Sequence, residues 1–159
     1  MAQQPNTSGC RRIVAGLDAE GRSAIVADGF VAALGLGNMQ ITQLWSGALG
    51  AKADSHAPLE NTTAPFRFEQ MADPAYSMMV AEYGPGLGRD DPGIHFTDTA
   101  DHFYVIEGDV VLVLQTGEVV LRAGDVGVVR GVVHGWRNDT EATARVITFV
   151  LPATPAVAS

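Results

Sequence analysis

Between His102 and Asn138 the chain reads "HFYVIEGDVVLVLQTGEVVLRAGDVGVVRGVVHGWRN". Short runs of Val, Ile, Leu and aromatic residues are broken by "EGD", "QTGE", "RAGD" and "RG". No helix tolerates that rhythm, because turn signals recur every several residues and β-branched side chains fill the runs between them. The pattern predicts an all-β sandwich or small barrel. "VVLVL", Val110 to Leu114, is apolar at every position, as in a strand covered on both faces. Nowhere does a long amphipathic segment of helical period occur, so helix content is expected to be low.

The rest of the chain fits the same class. "RRIVAGL" and "SAIVADG" flank the turn-prone "DAEGR" and predict two strands. "MQITQLWSG" predicts another, with Ile41 and Trp45 among its apolar positions. Residues 46–64 read as a long surface loop, of a length that is uncommon unless it serves as a lid or other functional segment. "FRFEQM" and "SMMVAEY" predict further strands, with Met78 and Met79 in the core, and "ARVITFVLP" closes the domain. "GPGLG" lacks the Lys-Ser/Thr and following helix of a phosphate loop and reads as a turn. The organisation expected is a flexible N-terminus over 1–10, N-terminal strands and a long loop over 11–75, a barrel over 76–151, and a flexible tail over 152–159.

Composition narrows the function classes. The chain has 159 residues, 47% hydrophobic and 18% charged, which suits one globular domain. Its one cysteine, Cys10, allows no disulfide framework or cysteine-built zinc site within one chain. The net charge of −8 and the lack of a basic stripe argue against nucleic acid as a partner. No apolar run approaches the roughly 20 residues needed to span a bilayer. The start "MAQQPNTSGC" lacks the basic and apolar regions of a secretory signal. The cytoplasm is the simplest location.

Two stretches carry chemistry. "GIHFTDTADHFYVIEG", Gly93 to Gly108, presents His95, Thr97 and Asp101 before a hydrophobic strand and a Gly turn. "GDVGVVRGVVHGWRN", Gly124 to Asn138, presents His134 and Asn138. Together they resemble the two motifs of the cupin superfamily, over about residues 76–151. The N-terminal half resembles a branch of small, single-domain, RmlC-like cupins with a His-x-Thr-x-Thr-x-Asp first motif. The resemblance implies a double-stranded β-helix, or jelly-roll barrel, with extra N-terminal strands. It also implies a homodimer packed through β faces, with the N-terminal strands swapped or packed. The departures are specific. Thr97 stands at the second histidine position and Asp101 at the glutamate. Arg130 stands near the usual proline, in a turn one residue short.

The residues also permit a reading of their own. Positions of equal parity in an extended segment share a face, so His95, Thr97 and Asp101 can face one way, as can His134 and Trp136. Two histidines and a carboxylate are the donor set of a facial triad, suited to Fe, Mn, Ni or Zn as one divalent metal ion. The alternative is a metal-free pocket in which Asp101, His95 and His134 act as acid and base. His102 falls on the opposite parity and is expected outside. Trp136 and Thr97 are candidate substrate contacts, Trp136 with core packing as its alternative. Arg67, Glu69, Glu82 and Tyr83 stand on preceding strands. Surface exposure is the plainer reading for all four, while Arg67 and Tyr83 are candidate substrate contacts, Arg67 as a carboxylate anchor.

The function expected is that of a small-molecule enzyme, a lyase or dehydratase, or else a decarboxylase or isomerase. The alternatives are a non-catalytic ligand-binding module and a metal-dependent dioxygenase.

Overall fold

The computed structural model describes residues 8–50, 66–67 and 75–154. These form eleven strands in chain order and no helix: β1 Gly9–Leu17, β2 Ser23–Ala32, β3 Leu34–Leu36, β4 Met39–Ala48, β5 Ala75–Tyr83, β6 Thr99–Glu107, β7 Asp109–Leu114, β8 Gly117–Arg122, β9 Val126–Arg130, β10 His134–Arg137 and β11 Ala144–Pro152. The protein is all-β, as its turn rhythm requires. No helix of the described residues is long and apolar enough to cross a membrane.

A six-stranded sheet runs β3-β4-β5-β11-β6-β9 and a three-stranded sheet runs β10-β7-β8. Their inner faces meet in one core, where Val105 and Val146 of the larger sheet pack with Val110, Leu112 and Leu121 of the smaller. Val105, Val110 and Val146 are wholly buried, each worth roughly 2 kcal/mol of apolar burial. β7 is the middle strand of its sheet, and Val110, Val111 and Leu112 are all buried, which explains its unbroken apolar run.

Strands and turns follow local chemistry. Between β1 and β2, Asp18 accepts the backbone N–H groups of Glu20 and Arg22 through Oδ1. This is the Asx type of turn that "DAEGR" suggests. Gly108 joins β6 to β7 at φ 73°, and a Cβ there would lie 2.9 Å from Ala144 Cα. Both conformation and space therefore demand glycine.

Asn138, the last residue of the second motif, is wholly buried and structural. Its Nδ2 donates to the carbonyls of Tyr83 and Ala142, and its Oδ1 accepts from the Thr140 N–H and hydroxyl. All four hydrogen-bonding positions of its amide are used.

Several boundaries differ from expectation. Gly9 and Cys10 lie in β1, although the first ten residues read as loose; pairing with Ala32 and Val31 extends the ladder to them. Ser46, Gly47 and Ala48 continue β4 into the span read as loop, because they pair with Ser77, Tyr76 and Ala75. Pro152 ends β11. The short β3 carried no clear signal. Most of the 46–64 span, its possible role as a lid, and Phe68 and Glu69 lie outside the described residues.

A bulge between Gln43 and Trp45 shifts the β4 register. Ile41 stays on the inner face opposite Ala81, while Trp45 moves to the outer face opposite Met78. Met78 is accordingly only half-buried, and Met79 alone of that pair joins the core.

Candidate functional site

β6 alternates cleanly. Thr99, Asp101, Phe103 and Val105 are buried, while His102 and Tyr104 are exposed. Asp101 therefore points into the space between the sheets, and His102 points out, as parity requires. On β10, His134 is buried and packs edge to face on Trp136, ring centroids 6.2 Å apart. Trp136 in turn meets Phe103 and Tyr83 at 5.3 and 5.6 Å. It is thus both a core aromatic and part of the cavity wall.

His95 reaches the site by a different device. It belongs to no strand. The segment Pro92–His95 lies antiparallel against β10: the His95 N–H donates to the His134 carbonyl at 2.9 Å, and the His134 N–H returns the bond at 3.0 Å. The Trp136 N–H donates to the Pro92 carbonyl at 2.9 Å. Gly135 permits this approach, since a Cβ there would lie 2.5 Å from the Pro92 carbonyl oxygen. The two imidazoles end with centroids 4.4 Å apart.

Main-chain contacts also fix both tautomers. His95 Nδ1 lies 2.7 Å from the Gly93 carbonyl, and His134 Nδ1 lies 2.9 Å from the Val132 carbonyl. A carbonyl only accepts, so each Nδ1 carries the proton and each Nε2 keeps its lone pair in the neutral ring.

Asp101 is held by a hydroxyl chain. Thr99 donates to Asp101 Oδ1 at 2.7 Å, which commits its only proton, so the 2.8 Å contact with Thr97 is a bond donated by Thr97. Thr97 lines the cavity, half-buried, with its hydroxyl proton already engaged. Thr99 went unnoticed in the sequence, although Thr97, Thr99 and Asp101 share one parity and that signal was there to read.

Burial pushes the Asp101 carboxyl up from the usual carboxylate range, against the Thr99 hydrogen bond and the nearby imidazoles. Burial pushes the His134 imidazole down, and the neighbouring His95 adds to this, against the Val132 carbonyl and Asp101. Tyr83 is buried on the inner face of β5, with its phenol held above its ordinary value by burial and by Asp101. The surface reading of Tyr83 is thereby corrected: its parity on β5 places it inward. Glu82, its neighbour, faces the other way and lies 3.4 Å from Arg145. Arg67 is exposed, and its neighbour Phe66 takes the buried position on the cavity.

His95, Asp101, His134, Tyr83, Thr97 and Trp136 all line one cavity of about 570 Å³. Its other walls are mainly apolar, from Met39, Ile41, Met79 and Val150 among others. A largely apolar pocket with a few convergent polar groups is the usual form of a small-molecule site.

The resemblance implies a metal here. The free Nε2 atoms of His95 and His134 suit one. The third donor does not: among the described residues, no three His, Cys, Asp or Glu side chains converge on a metal position. Asp101 accepts the Thr99 hydroxyl through Oδ1. The expected ligands His95, Asp101 and His134 line one cavity, and among the described residues they are not drawn together round a metal position.

Comparison with known proteins agrees with this architecture. The family model Cupin_2, described as "Cupin domain", matches residues 79–150. A cupin domain of Schizosaccharomyces pombe Cnp3 superposes with a TM-score of 0.55 at 12% identity, covering 89% of this chain and 87% of that one. An RmlC-like cupin from Shewanella frigidimarina gives 0.50 at 16% identity, covering 77% of this chain and 85% of that one. At these identities both show the fold alone.

Curated relatives include Phomopsin biosynthesis cluster protein C' of Diaporthe leptostromiformis, 29% identical over 67% of this chain and 65% of that protein. Another is Oryzines biosynthesis cluster protein J of Aspergillus oryzae, 38% identical over 48% of this chain and 42% of that protein. The chain thus spans less than two thirds of the length of these relatives. Residues 79–150 thus match the cupin domain, and the chain's all-β jelly-roll architecture is the fold of the cupins it superposes on.

Proposed function

We propose that the protein is a small-molecule enzyme that moves a proton next to a carbonyl, in a dehydration or related lyase or isomerase reaction. One observation carries the reading: a buried carboxylate and a buried imidazole, shifted in opposite directions, share one pole of an apolar cavity. The raised carboxyl moves toward neutral pH, where a proton-transferring group works best, and the lowered imidazole is held in its neutral form, with a lone pair to act as base. His134 offers Nε2 as base, since Val132 holds its other nitrogen protonated. Asp101, braced by Thr99, supplies or receives the second proton. The names of two relatives place them in phomopsin and oryzines biosynthesis clusters, which supports a small-molecule substrate here.

The test is exchange of α-protons with heavy water across a panel of carbonyl compounds, followed by NMR. Wild type is expected to catalyse exchange and Asp101→Asn to lose it. Equal catalysed exchange in both proteins would remove Asp101 from the catalytic role, and no exchange in wild type would leave a ligand-binding module as the better reading.

A second reading keeps one divalent ion, Fe, Mn, Ni or Zn, on the imidazole pair, and the free Nε2 atoms favour it. Elemental analysis of untagged protein beside His95→Ala and His134→Ala decides it: metal lost in both variants supports this reading.

A homodimer fits the outer sheet face. There Phe149 and Val128, 43% and 52% exposed, flank His102 in register across β11, β6 and β9, and Tyr104, 45% exposed, stands beside the exposed Val126. A reducing cytoplasm suits the lone Cys10.

A further inference from the structure

The cavity has a charge character that its catalytic groups alone do not dictate. Its described walls contain no lysine or arginine. The arginines around it are engaged elsewhere. Arg89 donates to the Asp139 carbonyl and Glu141. Arg137 holds Glu118 and Asp139, and Arg145 lies against Glu82. Arg67, the one basic residue that the sequence offered as a carboxylate anchor, is exposed. The fixed charges the cavity does present are acidic, Asp91 and Asp101.

The remaining surface is mainly apolar, with Leu36, Met39, Met79, Phe96, Trp136 and Val150 among its lining residues. A substrate carboxylate placed here would lose its water without gaining a lysine or arginine from the described walls, and would face Asp101 across a medium that screens poorly. A ketone or aldehyde meets neither penalty.

From this we infer that the site takes uncharged, largely apolar carbonyl compounds and rejects carboxylic acids. The inference rests on the proposed reaction, since it seats the substrate carbonyl at the Asp101–His134 pole. For the site without a metal on its imidazole pair it also removes decarboxylation from the reactions considered, because a decarboxylase must first bind a carboxylate. What remains is proton transfer on a neutral skeleton: loss of water from a hydroxy-ketone, with the α-proton taken by the base and the hydroxyl leaving as water, or movement of a double bond by proton removal and return.

Three probes of one shape test the charge preference: benzylacetone, hydrocinnamate and phenylpropylamine, a ketone, an acid and an amine. Calorimetric titration of the full chain at pH 8, above the ordinary imidazole range, gives the three affinities. Benzylacetone is expected to bind at least about tenfold tighter than hydrocinnamate, a difference of about 1.4 kcal/mol. Asp101→Asn should narrow that gap by admitting the acid, while leaving the ketone's affinity within about threefold. Hydrocinnamate binding as tightly as the ketone in wild type overturns the inference. So does tightest binding of the amine, which would mark an ammonium site, and so does absence of binding by all three. The proposed reaction fails separately: retained proton exchange in Asp101→Asn would remove the catalytic role and leave the charge preference standing.

Discussion

Asp101 and His102 are neighbours on β6, yet they live in different media. Asp101 is 8% exposed, bonded by Thr99 and facing two imidazoles. His102 stands on the outer face between Phe149 and Val128, open to solvent. The same contrast runs across the six-stranded sheet. Its inner face carries Tyr83, Asp101 and the cavity wall; its outer face carries exposed apolar side chains over β11, β6 and β9. What separates the chemistry from the surface is a single residue of register. A ladder with a two-residue period turns a titratable side chain into a candidate catalyst or a bystander.

The largest expected effect comes from removing the inner charge. Asp101→Asn should lower proton exchange by about 10²-fold or more, the range of a lost acid–base group. The same variant should be more stable than wild type at neutral pH, because a carboxyl raised by burial is strained when ionised. The sign follows from linkage. A raised carboxyl favours the folded state fully below its ordinary value of 3.8 and loses that contribution as pH rises through the raised value. Melting curves should therefore show the advantage of Asp101→Asn growing from acid to neutral pH.

His134 should behave oppositely. Its lowered imidazole contributes stability fully above the ordinary 6.5, and this is lost as pH falls from there through the lowered value. His134→Gln should flatten that acid-side loss in the same melting experiment. A parallel pH response in the two variants would break the pairing of a raised acid with a lowered base.

A smaller effect is expected at Thr99. Thr99→Val keeps the shape and removes the hydroxyl that bonds Asp101. With that bond gone, the Asp101 carboxyl should rise further, and exchange should fall by about tenfold, with its pH profile displaced toward higher pH. A lower rate without displacement would mean that Thr99 only packs. The smallest effect is expected one residue after Asp101. His102→Ala should leave exchange unchanged and stability within about 0.5 kcal/mol. A clear loss of activity there would show that the two faces are not as separate as their exposures indicate.

Much of this contrast was legible in the chain. Alternation through "TADHFYVIE" assigns Asp101 and His102 to opposite faces, and "VVLVL" announces a strand covered on both sides. The motif spacing also picked out His95 and His134. Other features depend on contacts that no local pattern encodes. Trp45 changes face because of a bulge two residues earlier. Tyr83 looked like surface, because its partners Trp136 and Asp101 lie far along the chain. Arg67 looked useful as a cation, but a charge alone does not tell which way a side chain faces. Asn138 sits where the second motif ends in an asparagine, yet its four hydrogen bonds give it a structural role. Thr99 was visible by parity and simply lacked a reason to be singled out until its bond to Asp101 was seen.

The segment from Pro92 to His95 is hydrogen-bonded to β10 through main-chain atoms. Delivery to the position facing His134 is thus independent of the side chain delivered. The fold supplies a socket there, and the residue at 95 is its interchangeable fitting. A cysteine, aspartate or glutamate substituted at 95 would arrive opposite the same imidazole, which makes this one position a means of re-equipping the cavity with new donors while the barrel stays as it is.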